Sequence, residues 1–235
     1  MALRIRVLAR KTHKWLGLFV GFQVVIWSLS GLYMTVVHID TIHGDHLVRE
    51  IPAQAFAVRG LADPVSLAAN QRAIALRLAA VRGSPAYVVT TAGGERAFDA
   101  RSGTPLPPPD EAEIRRLARA IYTGEEAIAS ARLLRKIPPE IRGRAPPLWR
   151  VEFAGWNKPT LYLSPVTGEL VSRRHQLWRI FDFVWMLHIM DYAERENVNN
   201  PLLRAFTWGA VLMALSGAWL LFFAFPKKKP KQARA

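Results

Sequence analysis

The chain has 235 residues, a 51% apolar composition, a formal net charge of +14 and no cysteine. The absence of cysteine excludes disulfides, thiolate metal sites and iron–sulfur clusters, so histidine, methionine or oxygen atoms must hold any metal or haem. The apolar content is high for a soluble domain and low for a transporter with many spans, and it fits two membrane spans with one soluble domain of ordinary size.

The positive charge is concentrated near the two ends of the sequence. Residues 1–14 carry five basic side chains and residues 226–235 carry another five, with no acidic residue in either segment. The other 22 basic residues are nearly balanced by 18 acidic ones, which leaves +4 for the rest of the chain. Cationic segments beside apolar stretches indicate the cytoplasmic side of a membrane protein, with the lipid bilayer and not nucleic acid as its partner.

The first apolar stretch, from Trp15 to Val37, contains 23 residues without a charged side chain and is bracketed by His13 and His38. At a rise of about 1.5 Å per residue it spans a hydrocarbon core of about 30 Å, so we predict a transmembrane helix over 15–38. The stretch is longer than the apolar core of a usual signal peptide, and we expect an anchor that is not cleaved.

Small residues in this span follow a single helical line, with spacings of three or four residues. The line consists of His13, Gly17, Gly21, Val24, Ser28, Gly31, Thr35 and His38. Such a face allows another helix, or a flat cofactor, to approach the backbone closely. Both interpretations stay open from the sequence.

The segment 38–46, HIDTIHGDH, contains three histidines and two aspartates within nine positions. Divalent metals accept such ligands, and His43 and His46 are neighbours if the helix continues to them. Solvated Asp and His residues are also common where a chain leaves a membrane, so a segment without metal is the alternative.

Residues 39–174 have the composition of an α+β domain, which we place in the periplasm between the two spans. We predict three helices, over Leu67–Val81, Asp110–Tyr122 and Glu125–Lys136. Asp63 caps the first and Asp110 caps the second. Strands are expected at Tyr87–Thr91, Arg96–Asp99, Trp149–Phe153, Thr160–Leu163 and Glu169–Val171.

Two turns in this domain share one pattern. Asp99–Gly103 and Ser164–Gly168 each contain a strand end, a two-residue spacer and a hydroxyl-glycine pair, and they are offset by 65 residues. The pattern predicts two helix-plus-hairpin units, each with a turn glycine at positive φ.

The segment 175–192 carries aromatic residues at spacings of three or four, namely Trp178, Phe181, Trp185 and Tyr192, with His188 on the same line. It contains charges as well, so we predict an interfacial amphipathic helix on the outer leaflet, with His188 on its aromatic face.

The second span is expected over 201–225, starting at Pro201, because Ala205–Phe225 contains 21 residues without a charge. Its sequence LSGAW at 215–219 repeats the LSGLY at 29–33 of the first span. Two antiparallel helices alone make a thin membrane domain, so we expect a homodimer or a partner membrane subunit.

Four short motifs occur in a characteristic order. They are THKWLGL at 12–18, the later Ser30-Gly31-Leu32, Leu187-His188 followed by Ser216-Gly217 in the second span, and YLSPVTGEL at 162–170. Taken in their order along the chain, these motifs resemble the PepSY-associated transmembrane family, and YLSPVTGEL is similar to the closing hairpin of a PepSY domain. The resemblance implies a bacterial inner-membrane protein with a periplasmic PepSY-like domain, although larger members have four spans and this chain has two.

Some members of that family are haem-containing siderophore-iron reductases. The resemblance therefore implies haem b as a cofactor and His13 and His188 as its ligands, since these positions match the family's histidine motifs. His38 is added from the spacing alone, as a partner for His188 at the outer face. His13 is the only histidine expected on the cytoplasmic side, so a haem with two histidine ligands there needs a second copy or another protein.

No motif for hydrolysis, zinc proteolysis or phosphate binding is present in the sequence. Two functions of different classes follow. The first is a b-type haem electron-transfer or reductase subunit, linked to iron or siderophore reduction and served by a periplasmic redox partner. The alternative is a membrane-anchored PepSY binding or regulatory module without a redox cofactor.

Overall fold

The computed structural model of the chain describes residues 2–49 and 55–224, and these fall into two compact units. One unit combines the chain up to His38 with the chain from Ile180 onward, and the other contains Ile39–Arg179. The predicted basic tail at 226–235 lies outside the described residues.

Two long apolar helices dominate the first unit. Helix α1 covers Ala2–Val36 and helix α6 covers Pro201–Ala224. Each contains a segment that is long and apolar enough to cross a membrane, at Val7–Val36 and Pro201–Leu221. Both predicted spans are therefore helical, and α1 begins well before the predicted start at residue 15.

Helix α6 begins as the sequence predicts. The side-chain oxygen of Asn200 accepts a hydrogen bond from the backbone N–H of Leu203 at 2.8 Å, and Pro201 occupies the first helical position. An N-cap amide satisfies one of the free N–H groups of a helix start, and proline has no N–H to leave unpaired there.

Helices α1 and α6 approach closely where Val20 of α1, which is buried, meets Gly209 of α6. Gln23 and Ser30 of α1 are buried as well, and they contact residues 187–188. Gly209 of α6 allows the close approach, because a Cβ on it would lie only 2.9 Å from Cγ2 of Val20. The tight glycine contact of this helix pair is thus supplied by α6.

The glycines of α1 have a different environment. Apart from the adjacent residues and the nearby backbone of α1 itself, no described atom lies within 4 Å of the place a Cβ would take on Gly17, Gly21 or Gly31. The three glycines of the small-residue line are therefore open, whereas His13 at the start of the line contacts Met213 and Ser216 of α6.

The second unit begins with short helical segments at Ile39–His43 (α2) and Asp45–Leu47 (a 3-10 helix) and then contains two successive helix-and-sheet layers. In the first layer, α3 covers Pro64–Gln71 and starts at Asp63, whose carboxylate accepts hydrogen bonds from two backbone N–H groups at 3.0 Å. Its antiparallel sheet has the order β1-β2-β3, with β1 at Ala75–Val81, β2 at Ser84–Thr91 and β3 at Gly94–Asp99.

The second layer follows the same plan with one more strand. Helix α4 covers Glu111–Ile121 and is capped by Asp110, as predicted. The antiparallel sheet has the order β4-β5-β6-β7, with strands at Ile128–Leu134, Leu148–Phe153, Thr160–Leu163 and Leu170–Arg174. The apolar side of α4 packs on one face of this sheet, and a second 3-10 helix at Pro139–Ile141 packs near the other.

The turn after β3 is held by Asp99. Its Oδ1 accepts hydrogen bonds from the backbone N–H groups of Arg101 and Ser102 at 2.9 and 2.8 Å, and its main-chain oxygen accepts from Gly103 N at 2.9 Å. Gly103 has a φ of 70°, the left-handed region that glycine adopts without a steric cost.

The turn after β6 repeats this arrangement. Oγ of Ser164 accepts from the N–H groups of Val166 and Thr167 at 3.2 Å, its main-chain oxygen accepts from Gly168 N at 3.0 Å, and Gly168 has a φ of 76°. The prediction of two related helix-plus-hairpin units within this domain, each with a turn glycine at positive φ, is confirmed.

One predicted helix is helical only in its first part and then becomes a strand, and another is replaced by a strand. Over Leu67–Val81, α3 ends at Gln71 because Arg72 takes a left-handed conformation with a φ of 51°, and β1 follows. The predicted helix Glu125–Lys136 contains β4 instead. Both strands lie at a sheet edge directly after the helix of their layer, and pairing with the next strand overrides the helical preference of their sequences.

Candidate functional site

His13 lies in the first part of α1 and faces the last part of α6. Its Nδ1 is 3.1 Å from the main-chain oxygen of Met213 and 2.9 Å from Oγ of Ser216. A carbonyl oxygen can only accept, so Nδ1 carries the ring proton and donates it. Gly217 gives the ring its space, because a Cβ there would lie 3.0 Å from Cε1 of His13.

His188 lies in the last turn of helix α5, which covers Gln176–Ile189. Its Nδ1 is 2.8 Å from Oγ of Ser30 on α1. The hydroxyl of Ser30 has main-chain acceptors on Ile26 and Trp27 at 2.7 and 3.1 Å for its single proton. The oxygen of Ser30 therefore accepts a hydrogen bond from Nδ1–H of His188.

Both imidazoles consequently hold their proton on Nδ1 when neutral, and Nε2 is left with a free lone pair. Within the described part of the chain, Nε2 of His13 and Nε2 of His188 have no hydrogen-bond partner. Histidines that bind a metal donate the other ring N–H to an oxygen in the same way, which fixes the ring and its tautomer.

The two serines are candidate site residues that the sequence analysis does not assign. The repeated Leu-Ser-Gly segment was the signal, and its role follows from the geometry. In each copy, at Ser30 and at Ser216, the serine oxygen holds a candidate histidine of another helix. The sequence separations of 158 and 203 residues explain why the pairing was not predicted.

The rings near His188 form the predicted aromatic face. Trp185 lies nearly parallel to the His188 ring, with centroids 6.5 Å apart at 15°, and Phe181 lies nearly parallel to Trp185 at 6.3 Å and 10°. The predicted segment is thus helical over Gln176–Ile189, while its amphipathic, interfacial placement at the outer leaflet stays a prediction.

The end of α5 is fixed by donors from α1 and from the start of α6. The main-chain oxygens of 187–189 accept hydrogen bonds from Gln23 Nε2 at 3.3 Å, Trp27 Nε1 at 2.7 Å and Asn200 Nδ2 at 2.8 Å. These are carbonyls that a helix C-terminus leaves without intrahelical partners. The backbone that carries His188 is thus held against α1.

The loop between α5 and α6 is organised by the buried carboxylate of Asp191. It accepts hydrogen bonds from the backbone N–H groups of four residues, at 3.3, 3.2, 3.0 and 2.9 Å in chain order: Ala193, Glu194, Glu196 and Asn197. These donors hold the pKa of Asp191 at about 2, below its ordinary value of 3.8. The sequence analysis did not single out this residue.

His38 is exposed and lies just beyond the end of α1. It follows Ser30 by eight positions, which corresponds to roughly 12 Å along a helix axis. Because Ser30 holds His188, the two histidines are offset along α1 by this length, and their pairing as ligands of one haem stays a prediction.

The predicted metal ligands His43 and His46 belong to the second unit. The ring of His46 lies edge-on to the buried His175, with centroids 6.2 Å apart, and Nε2 of His175 is 3.0 Å from the main-chain oxygen of Ile42. Burial lowers the pKa of His175. In the described ranges, no group of three or more His, Cys, Asp or Glu side chains could hold a metal ion, so this site stays a prediction without a third ligand.

A family model described as the PepSY-associated TM region matches residues 10–235. The chain belongs to this family. The matched range contains both apolar helices and both candidate histidines, and membership together with these helices identifies a membrane-associated PepSY protein. Searches of curated proteins and of solved structures give no match.

Proposed function

We propose that this PepSY protein is an inner-membrane, b-type haem-binding subunit for electron transfer or reduction, linked to iron or siderophore iron. His13 and His188 are its proposed axial ligands. A bound haem would supply the one-electron chemistry, and the chain would supply the ligands, their orientation and an apolar environment.

The observation that carries the proposal is the state of the two imidazoles. Each has Nδ1 held by a serine oxygen, at 2.9 Å for His13 and 2.8 Å for His188, and each has Nε2 free to bind. Every neutral imidazole has one N–H and one lone pair, so the informative feature is which nitrogen is held: in both histidines a serine of another helix holds Nδ1 and Nε2 is the free nitrogen. The same arrangement occurring twice, on different helices, favours ligation over packing.

The surroundings fit a flat macrocycle. Apart from the nearby backbone of α1 itself, no described atom lies within 4 Å of the Cβ positions of Gly17, Gly21 and Gly31, so the backbone of α1 is accessible at these glycines. Near His188, the parallel ring of Trp185 offers an apolar surface at one edge. Both features leave room beside α1 for a ring that the chain itself does not fill.

The second ligand differs between the two ends of α1. At the end near His188, His38 is the candidate, and it must approach across the offset of roughly 12 Å described above. At the other end, a second copy of the chain or a partner membrane subunit must supply a histidine opposite His13. We therefore propose a homodimer or a complex for the complete haem content.

A visible absorption spectrum of the detergent-purified protein tests the proposal, followed by the ratio of haem to protein. We expect a Soret band that sharpens on reduction, and its loss or weakening in His188→Ala and in His13→Ala. His43→Ala, a histidine outside the candidate site, is the matched control and should keep the wild-type spectrum. A wild-type spectrum and stoichiometry in both ligand variants would contradict the proposal.

The anchored PepSY module is the second candidate function, and one observation favours it. The second unit contains a cavity lined by charged side chains that the haem proposal does not use. A correctly assembled protein that carries no haem would leave this module as the function.

A further inference from the structure

A cavity of about 440 Å³ opens on the face of the four-stranded sheet that α4 does not cover. Alternate residues of a strand point to opposite faces, and the cavity residues of β4 to β6 are Leu134, Arg150 and Tyr162. The segment after β4 closes one side with an apolar wall of Ile137 and the two prolines that follow it. Its volume is in the range of cavities that hold small molecules, about 300–1,000 Å³.

One charged pair in this cavity is already satisfied. Arg179 donates to both carboxylate oxygens of Glu140, at 2.7 and 3.1 Å, and the hydroxyl of Tyr162 donates to the same carboxylate. Burial raises the pKa of Glu140, but the hydrogen bonds from Arg179 and Tyr162 outweigh it and hold this pKa below its ordinary value. Glu140 is therefore ionised, and its charge is balanced by Arg179.

Two further cations line the cavity without a full complement of acceptors. The guanidinium of Arg150 forms an ion pair with Glu152 and a hydrogen bond with the hydroxyl of Tyr162, and these two contacts use only part of the five N–H donors of Arg150. Lys136 is exposed, and no ion pair or hydrogen bond involves it in the part of the chain that the structure describes. The cavity therefore offers unused N–H donors of Arg150 and one unbalanced positive charge, that of Lys136.

The strand register places a further cation next to Arg150. Arg150 of β5 lies directly opposite Arg132 of β4, and like charges in such a pair destabilise a sheet. Violations of a local rule of this kind are expected where a protein uses the residues for binding.

We propose that this cavity binds a small organic anion, a carboxylate attached to an apolar group. Arg150 and Lys136 would hold the carboxylate through charge-assisted hydrogen bonds, and the apolar wall would cover the body of the ligand. The carboxylate can come from a free acid or from the C-terminus of a peptide, since both present the same group. The inference does not depend on haem binding.

Isothermal titration of the full-length protein in nanodiscs of uncharged lipid tests the inference, with 4-phenylbutyrate as the probe. We expect binding at one site per chain and at least about tenfold weaker binding of 4-phenylbutyramide, because the charge-assisted hydrogen bonds are lost. Inorganic phosphate, which has no apolar part, should also bind more weakly. Gly-Gly-Phe with a free and with an amidated C-terminus distinguishes the sources: tighter binding of the free peptide than of phenylbutyrate assigns the site to peptide ends, and the reverse assigns it to free acids.

The neighbours Lys136 and Arg135 provide a matched pair of variants. Lys136→Gln should weaken phenylbutyrate binding several-fold, whereas Arg135→Gln, which removes one charge from an exposed side chain outside the cavity lining, should not. Arg150→Gln should weaken binding further, with circular dichroism confirming that the variant is folded. Any of four results would overturn the inference. They are equal binding of phenylbutyrate and its amide, equal effects of Lys136→Gln and Arg135→Gln, phosphate binding as tight as that of phenylbutyrate, and no binding of either phenylbutyrate or the free peptide.

Discussion

Gly217 and Gly17 differ in what surrounds them, and this difference makes a test of the α1–α6 contact. A Cβ on Gly217 would lie 3.0 Å from Cε1 of His13, so Gly217→Ala should destabilise the helix pair by about 1–3 kcal/mol through overpacking. Thermal unfolding of the detergent-solubilised protein measures the loss. Gly17→Ala is the control, because its Cβ meets no described atom within 4 Å apart from the nearby backbone of α1 itself, and alanine favours a helix by about 0.5–1 kcal/mol. Equal losses in the two variants would argue against the His13 contact.

Asp191 makes a second test at the scale of one residue. Its pKa is depressed to about 2 from 3.8, so its stabilisation of the loop is present above about pH 4 and is lost as the pH falls through about 2. Asp191→Asn keeps one acceptor oxygen and loses the charge, so hydrogen exchange at Ala193–Asn197 should be faster at pH 7. Glu194→Gln removes an exposed acid from the same loop and should leave the exchange unchanged. Unaltered protection in Asp191→Asn would remove the proposed role of the carboxylate.

The two related turns allow a comparison between equivalent elements. Gly103 and Gly168 both have φ near 70°, so alanine at either position should cost about 1–2 kcal/mol. Gly168→Ala should cost more, because its Cβ would lie 2.5 Å from Cδ1 of Leu117, whereas the nearest contact at Gly103 is 3.5 Å away. Thermal unfolding should rank Gly168→Ala below Gly103→Ala. In a Leu117→Ala background the difference between the two should shrink, and a difference that persists there would contradict the steric explanation.

The two strands β1 and β4, each at the edge of its sheet, are the elements that the sequence does not predict correctly. The turn glycines, the caps Asp63 and Asp110 and five strands were predicted because their signals are local. The segments of β1 and β4 are rich in alanine, leucine and arginine, which favour helices, and each becomes a strand only through its partner. In β1 the exposed Arg77 between two partly buried leucines is the period-two signal that competes with the helical one.

The pair of Glu140 and Arg179 joins the segment after β4 to the first part of α5. Arg179→Met should destabilise the second unit by about 2 kcal/mol, because it leaves a largely buried carboxylate without its main partner. Adding Glu140→Gln should restore part of the loss. The pKa of Glu140 is lowered, so its contribution is present above the ordinary carboxyl pKa of 4.5 and is lost as the pH falls below it. Urea unfolding between pH 3 and 7 measures this slope, which should flatten in Glu140→Gln; an unchanged slope would assign the acid sensitivity to other groups.

At the scale of the whole molecule, the sequence predicts which segments the chain contains and their order better than it predicts the contacts between distant segments. Two spans and a soluble domain between them follow from the apolar stretches, and the order of the motifs gives the family. The partners of His13 and His188 are far away in sequence, so only the packed helices bring each serine to its histidine. The cavity beside Arg150 was missed for the same reason, since its residues come from four separate segments of the chain.

The topology of the molecule is the last prediction. Ten cations lie outside the two apolar stretches and next to them, so both ends should be cytoplasmic and residues 40–175 periplasmic. The chain has no cysteine, which makes a single introduced thiol unique. In intact spheroplasts, an impermeant maleimide should label Ala92→Cys at an exposed turn of the second unit, and it should label Lys11→Cys only after permeabilisation. A reporter enzyme fused at position 235 provides the independent check, and activity of that reporter only in the periplasm would reverse the arrangement and place His13 on the outer side.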